Sequence, residues 1–201
     1  MSSPLPPLVV LSGPSGAGKT TVVQGVLATC PYPLRRAVTA TTRKPRPGEV
    51  PETDYHFWNE AEFRAALAAG AMLEHAVVFG GDHYGTPRSE VDPHRTAGKG
   101  VLLVIDVQGA AQVRANAGAD IVTVFLDVPS LEELERRLRA RGTEDNAKIA
   151  RRLAAASIER HRAAEFEHRI VNGTVPEAVA EFTALLEREF TRRGIAPCST
   201  H

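Results

Sequence analysis

An apolar run, Leu8-Val9-Val10-Leu11, leads through Gly13-Pro14-Ser15-Gly16-Ala17-Gly18-Lys19-Thr20 into a stretch with helical spacing. The run has the character of a strand buried on both faces, and the glycines impose a tight turn between strand and helix. Gly13, Gly16 and Gly18 allow left-handed backbone and close approach to an anion. Successive N–H groups and the helix N-terminus can then converge on a phosphate. In such a loop Lys19 reaches the β- and γ-phosphates of a nucleoside triphosphate such as ATP, and the Thr20 hydroxyl ligates Mg²⁺. A turn that merely caps a helix is the alternative, but the flanking strand and helix are the context that phosphate binding requires.

The rest of the chain follows the same rhythm. Apolar runs at Leu8–Leu11, Val101–Ile105, Ile121–Leu126 and His168–Val171 alternate with helical patterns. This predicts an α/β fold, a doubly wound parallel sheet covered on both faces. Asn59 with Glu62, Ser130 with Glu133 and Thr174 with Glu177 have the spacing of reciprocal helix caps. The stripes Leu131/Leu134/Leu138 and Val179/Phe182/Leu186/Phe190 predict helices packed on the sheet.

The segment from Leu34 to Gly98 breaks that rhythm, with proline-punctuated turns and most of the aromatic residues. It is too long for a structureless loop. A small mixed lobe is expected there, with a strand at Tyr55–Trp58, a helix at Glu60–Ala69 and the second substrate. A helical hairpin is expected to turn at Arg141-Gly142-Thr143-Glu144, and the tail after Gly194 to fray.

At 201 residues one domain is expected, and 24 basic against 24 acidic residues give no overall attraction to nucleic acid or a membrane surface. Cys30 and Cys198 lie far apart in sequence, which argues against a disulfide framework or a zinc site. No signal peptide or membrane-length apolar run is present, so a cytoplasmic protein is expected.

Arg43 and Arg46 occupy a stiff basic loop, Thr41-Thr42-Arg43-Lys44-Pro45-Arg46-Pro47-Gly48, with few neighbours in sequence to neutralise them. Two guanidinium groups so held suit an oxyanion; taken alone, the loop reads first as a solvated turn, and Tyr55 as a core aromatic. Asp106 follows Ile105 at the carboxyl end of an expected parallel strand, where ligands bind in open α/β sheets.

Taken together, these pieces resemble the guanylate kinases, within the nucleoside monophosphate kinases. The matching segments are Gly13–Thr20, Thr41-Thr42-Arg43-Lys44-Pro45-Arg46-Pro47-Gly48-Glu49, Asp54-Tyr55-His56-Phe57, Leu73-Glu74-His75-Ala76, Tyr84-Gly85-Thr86, Ile105-Asp106-Val107-Gln108-Gly109 and Arg141–Glu144. The resemblance implies one domain over residues 1–201 in three parts. These are a P-loop core at about 8–34, 99–136 and 165–194, a GMP-binding lobe at about 35–98, and a helical lid at about 137–164.

It also implies site residues. Arg43, Arg46, Tyr55 and Tyr84 fall on the acceptor phosphate. Glu74 faces guanine, whose N1–H and 2-amino group match two carboxylate oxygens, and Thr39 and Thr86 are placed to donate to O6. Asp106 lies towards GMP and Mg²⁺, directly or through water. Lys19, Arg137, Arg141 and Arg152 are the catalytic cations, although most arginines in so basic a stretch are only solvated. The substrates are ATP and GMP, and the protein is a monomer or homodimer. A non-catalytic guanylate-kinase-like module, or a kinase of another phosphorylated small molecule, are the alternatives. Intact Lys19, Thr20, Arg137 and Arg141 speak against the first, and Glu74 with Thr39 against the second. Val104 stands where relatives often carry an acid, and the stretch from Phe79 to Tyr84 is one residue longer than usual, which leaves the register of Tyr84 open.

Overall fold

A computed structural model describes residues 4–77, 81–117, 120–140 and 145–198. Strand β1 (Leu8–Ser12) is buried throughout and runs into the glycine loop, from which α1 (Lys19–Thr29) departs. There follow β2 (Leu34–Arg36), β3 (Thr39–Thr41), β4 (Tyr55–Phe57), α2 (Glu60–Ala68), β5 (Met72–Val77), β6 (His83–Pro87) and the short α3 (Asp92–Thr96). The chain continues with β7 (Gly100–Val104), α4 (Val107–Ala117), β8 (Ile121–Asp127), α5 (Leu131–Ala140), α6 (Asn146–His161), β9 (His168–Val171) and α7 (Val175–Arg192).

Five strands form an all-parallel sheet in the order β2-β7-β1-β8-β9. Alternate side chains point to opposite faces. Val9, Leu11, Leu102, Val124 and Ile170 pack on Val22 and Val26 of α1 and on Phe182, Leu186 and Phe190 of α7. Leu8, Val10, Leu103, Ile121 and Phe125 face the other way, onto Val107, Ala110 and Val113 of α4. Burial on both faces is why these strands read as unbroken apolar runs. The α/β class expected from the sequence is the one observed.

The fifth strand, β2, was not expected. It pairs with β7 from Leu34↔Gly100 to Arg36↔Leu102, so the core sheet extends past the expected boundary near residue 35. Three half-buried residues, Leu-Arg-Arg, at a sheet edge carry no strand periodicity.

The segment between β2 and α3 contains a second, four-stranded sheet in the order β4-β3-β6-β5. Its β3/β4 pair is parallel and the other two pairs are antiparallel. Phe63 of α2 packs there with Ala40, Met72 and Trp58. This lobe docks through its edge. Gln112 of α4 accepts from the His75 N–H at 3.0 Å and donates to the His75 carbonyl at 2.5 Å, while Asn116 donates to the Leu73 carbonyl at 3.2 Å. Two side chains of a core helix thus stand in for the strand that β5 lacks.

The helix caps differ in part from expectation. Asn59 and Glu62 form the full reciprocal cap. At α5 only the Ser130 hydroxyl accepts, from the Glu133 N–H at 3.2 Å, because the Glu133 carboxylate is held by Arg136 and Arg137. At α7 the Thr174 hydroxyl donates to Glu177 at 2.7 Å instead of the Thr174 N–H doing so.

The α7 stripe packs on the sheet as expected, but that of α5 does not. Leu134 and Leu138 form a separate cluster with Ala17 of the glycine loop, Val128, and Ile149 and Ala156 of α6. The two helices therefore form a pair seated on the loop, and the turn expected between them at 141–144 lies outside the described residues. The far end of the pair is tied down by the buried Asp127, which accepts from Arg160 of α6 at 2.8 Å and from Arg169 of β9 at 2.6 Å. Where fraying was expected after Gly194, the tail makes contacts as far as residue 198: Ile195 packs against the core, and the Cys198 N–H reaches the Pro31 carbonyl at 2.6 Å. Among the described residues no helix is long and apolar enough to cross a membrane.

Candidate active site

The strand order reverses around β1 and β7, whose carboxyl ends carry the loop and Asp106, the place where open α/β sheets bind ligands. The loop's glycines are conformational necessities. Gly13, Gly16 and Gly18 have φ of 143°, 96° and 91°. A Cβ on Gly13 would lie 2.1 Å from the Leu126 carbonyl oxygen, and one on Gly16 would lie 2.8 Å from Leu134. Gly18 also precedes α1 with no side-chain cap, which leaves the first N–H groups of the helix for an anion. Lys19 Nζ donates to the carbonyls of Gly13 and Pro14 at 2.5 and 3.1 Å, folded back over its own loop. The loop is braced from below by Asn172, whose amide donates to the Ala17 carbonyl at 2.7 Å.

Of the three expected lid arginines, Arg152 meets this loop directly and Arg137 lies one residue removed from it. Arg152 donates to Ser15 Oγ at 2.8 Å. Arg137 is held by Glu133 at 2.7 Å and donates to the Asn172 carbonyl at 2.8 Å, one residue chain away from the loop through Asn172. Arg141 lies outside the described residues. Glu159, also on α6, went unnoticed in the sequence; burial pushes its carboxyl up, and the charge of Lys19 pulls it back.

On the lobe, register settles what spacing could not. Tyr84 stands opposite Thr41 on β3 and Ala76 on β5. Its hydroxyl accepts from Arg43 Nε at 2.9 Å, and its ring meets Tyr55 edge-on at 5.9 Å. Burial raises the Tyr55 hydroxyl above its ordinary range, so it stays a donor. The expectation of an unneutralised basic loop is corrected. Glu49 takes both terminal nitrogens of Arg43 at 2.9 Å, holds the Arg46 N–H at 2.7 Å, and keeps the Arg43 guanidinium firmly charged. Gly48, at φ 87°, folds the chain back so that a residue six positions away reaches Arg43. The Arg46 side chain is exposed, and among the described residues it makes no hydrogen bond or ion pair.

Glu74 is buried, only 4% exposed, on β5. Its Oε1 accepts from Thr86 Oγ1 at 2.6 Å, and burial pushes the carboxyl up to about 7. Its Oε2 fits against Gly109 of α4, where a Cβ would come within 2.5 Å. Thr86 spends its one proton on Glu74, which leaves half-buried Thr39 on β3 as the hydroxyl able to donate to a base. Asp106 caps α4, its Oδ1 accepting from the N–H groups of Gln108 and Gly109 at 3.0 and 2.7 Å. Among the described residues its other oxygen makes no hydrogen bond. Val104 packs against the core beside α1 and α7.

A glycine loop at the carboxyl edge of a parallel sheet, feeding a bare helix N-terminus, defines a P-loop nucleotide-binding protein. Comparison with known proteins narrows the class. The family model described as guanylate kinase matches residues 6–189. A guanylate kinase of Streptomyces kasugaensis is 47% identical over 200 residues, covering 97% of this chain and 96% of that one. One of Leifsonia xyli is 47% identical over 179 residues, covering 89% of this chain and 70% of its own. The crystal structure of guanylate kinase from Anaplasma phagocytophilum superposes with a TM-score of 0.75 at 31% identity, covering 94% and 88% of the two chains. The chain belongs to the guanylate kinase family.

Proposed function

We infer that the protein transfers the γ-phosphoryl group of ATP to GMP, yielding ADP and GDP. The observation that supports GMP as acceptor is the buried Glu74 carboxylate on the same small sheet as Tyr55 and Tyr84, with Arg43 bonded to Tyr84 from the loop after β3. Guanine presents two adjacent donors to a carboxylate. Adenine has neither, and would leave the buried acceptor unpaired. In this reading Arg43, Arg46, Tyr55 and Tyr84 hold the acceptor phosphate, Glu74 and Thr39 read the base, and Thr86 positions Glu74.

The loop from Gly13 to Thr20 holds the ATP phosphates. Lys19 exchanges its two carbonyl partners for phosphate oxygens, a short movement for a flexible side chain. Arg152, already at the loop, and Arg137 neutralise charge as it shifts between the nucleotides, with Arg141 as the third lid cation. The attacking phosphate oxygen is already anionic near neutral pH, so in-line attack needs positioning and electrostatic stabilisation but no general base. Closure of the α5–α6 pair excludes water that would otherwise divert the phosphoryl group.

The donor set fits Mg²⁺. Thr20 brings one hydroxyl on the first turn of α1, and Asp106 has one carboxylate oxygen without a hydrogen bond among the described residues. Among the described residues no group of three His, Cys, Asp or Glu side chains would cage a metal. A cation that takes one or two protein oxygens and completes its shell with phosphates and water suits such a site. When bound, it supplies charge neutralisation at the transferring phosphoryl group.

A coupled assay with Mg²⁺-ATP across GMP, AMP and CMP tests the reading. GMP is expected to be phosphorylated with AMP and CMP nearly inert; comparable rates for all three would defeat it.

A further inference from the structure

The chain's two cysteines are 168 positions apart in sequence, and folding brings the Cys198 backbone onto that of Pro31, the residue after Cys30. Cys30 closes α1, its N–H bonded to the Val26 carbonyl at 2.8 Å. The next residues are locked to α7, where Tyr32 stacks on Phe190 at 4.7 Å and its hydroxyl pairs with Thr191 at 3.1 Å. Beyond α7 the tail turns back along the same surface. The Ile195 N–H donates to the Phe190 carbonyl at 3.1 Å, and Ile195 packs on the apolar cluster that Cys30 and Tyr32 also touch. The Cys198 N–H then donates to the carbonyl of Pro31, the residue after Cys30, at 2.6 Å. Sequence separation argued against a disulfide; the fold removes that objection.

We propose that Cys30 and Cys198 form a reversible disulfide that clips the C-terminal tail to the end of α1, a redox modification site remote from the phosphate loop. The two thiols have different roles. Cys198 is exposed and Cys30 half-buried, so a small disulfide reagent meets Cys198 first. Burial raises the Cys30 thiol above its ordinary range, which suits a slower second step. The Cys198 thiolate attacks one sulfur of the reagent, forms a mixed disulfide and releases one thiolate. The Cys30 thiolate then attacks Sγ of Cys198 and displaces the second. Two cysteine thiols lose two protons and two electrons, and the reagent is reduced to two thiols.

The closed loop contains most of the chain, so the bond removes much freedom from the unfolded state. An increase in melting temperature of about 10 °C is expected. Catalysis should not change, because Cys30 lies at the far end of the 11-residue α1 from Lys19, about 16 Å along its axis.

The test exposes the full chain to oxidised glutathione. Expected are loss of both free thiols, a mass lower by two hydrogens and a cross-linked peptide containing residues 30 and 198. The raised melting temperature should return to its starting value with dithiothreitol, and kinase turnover should remain within twofold throughout. Cys30→Ser and Cys198→Ser should each abolish the stabilisation. Persistence of a glutathione adduct on Cys198 with Cys30 still titratable, or cross-linking between two chains, would overturn the proposal.

Discussion

Glu49 grips both terminal nitrogens of Arg43 at 2.9 Å, while Arg43 Nε reaches the Tyr84 hydroxyl at 2.9 Å. These in-plane bonds orient the guanidinium before any phosphate arrives, a fork that a lysine cannot reproduce. Arg43→Lys is expected to raise the KM for GMP about tenfold, the loss of one charge-assisted bond, and to leave the KM for ATP within twofold. Steady-state kinetics with each nucleotide varied in turn decides it; an effect confined to ATP would contradict the assignment of Arg43 to the acceptor.

The Glu74 carboxyl supports a prediction about pH. Free enzyme holds it at about 7 through burial, while two guanine donors favour the ionised form. GMP binding at pH 6.5 should therefore release protons, and affinity should strengthen as pH rises to about 7.5. Titration calorimetry in buffers of different ionisation enthalpy measures this separately from the monophosphate's own titration, because Glu74→Gln should remove the carboxyl's share of the release and leave the phosphate's. The same substitution should weaken GMP binding roughly 100-fold. Folding has the opposite sign: a carboxyl raised from 4.5 to about 7 costs stability as pH climbs through that window. Glu74→Gln should accordingly melt no lower than the parent at pH 8.

Gly109 offers a test that leaves every polar group in place. A methyl there would come within 2.5 Å of Glu74 Oε2, the mobile end of that side chain, so the carboxylate and not the helix should yield. Gly109→Ala is expected to raise the KM for GMP at least severalfold while the melting temperature stays close to the parent's and ATP binding is untouched. A fold-wide loss of stability, read by calorimetry, would show that Gly109 is needed for packing alone.

Lys19→Ala should abolish turnover and leave GMP binding measurable, since Lys19 sits on the core loop and Glu74 on the lobe sheet. Equal loss of both by isothermal titration would refute the two-nucleotide arrangement.

The central strands, the phosphate loop and the α7 stripe were legible because each is written in local pattern: apolar runs for buried strands, glycine spacing for the turn, helical periodicity for the face. Glu74, Asp106 and the loop arginines were legible as types of residue in recognisable order, but their states were not. No spacing shows that Glu49 neutralises Arg43, that Thr86 commits its proton to Glu74, or that Tyr84 falls in register beside Tyr55. β2 escaped because an edge strand of three half-buried residues needs β7 beside it to exist.

The sequence alone therefore determined the fold class and the triphosphate loop, because these depend on interactions a few positions apart, while the resemblance of its motifs to a family supplied the acceptor and the remaining candidate residues. Tertiary structure decided the burial that lifts Glu74, the seat that Gly109 makes for it, the placement of α5 on the loop instead of the sheet, and the meeting of Cys30 with the Cys198 tail. Each of these rests on contacts between distant parts of the chain, which local pattern does not encode.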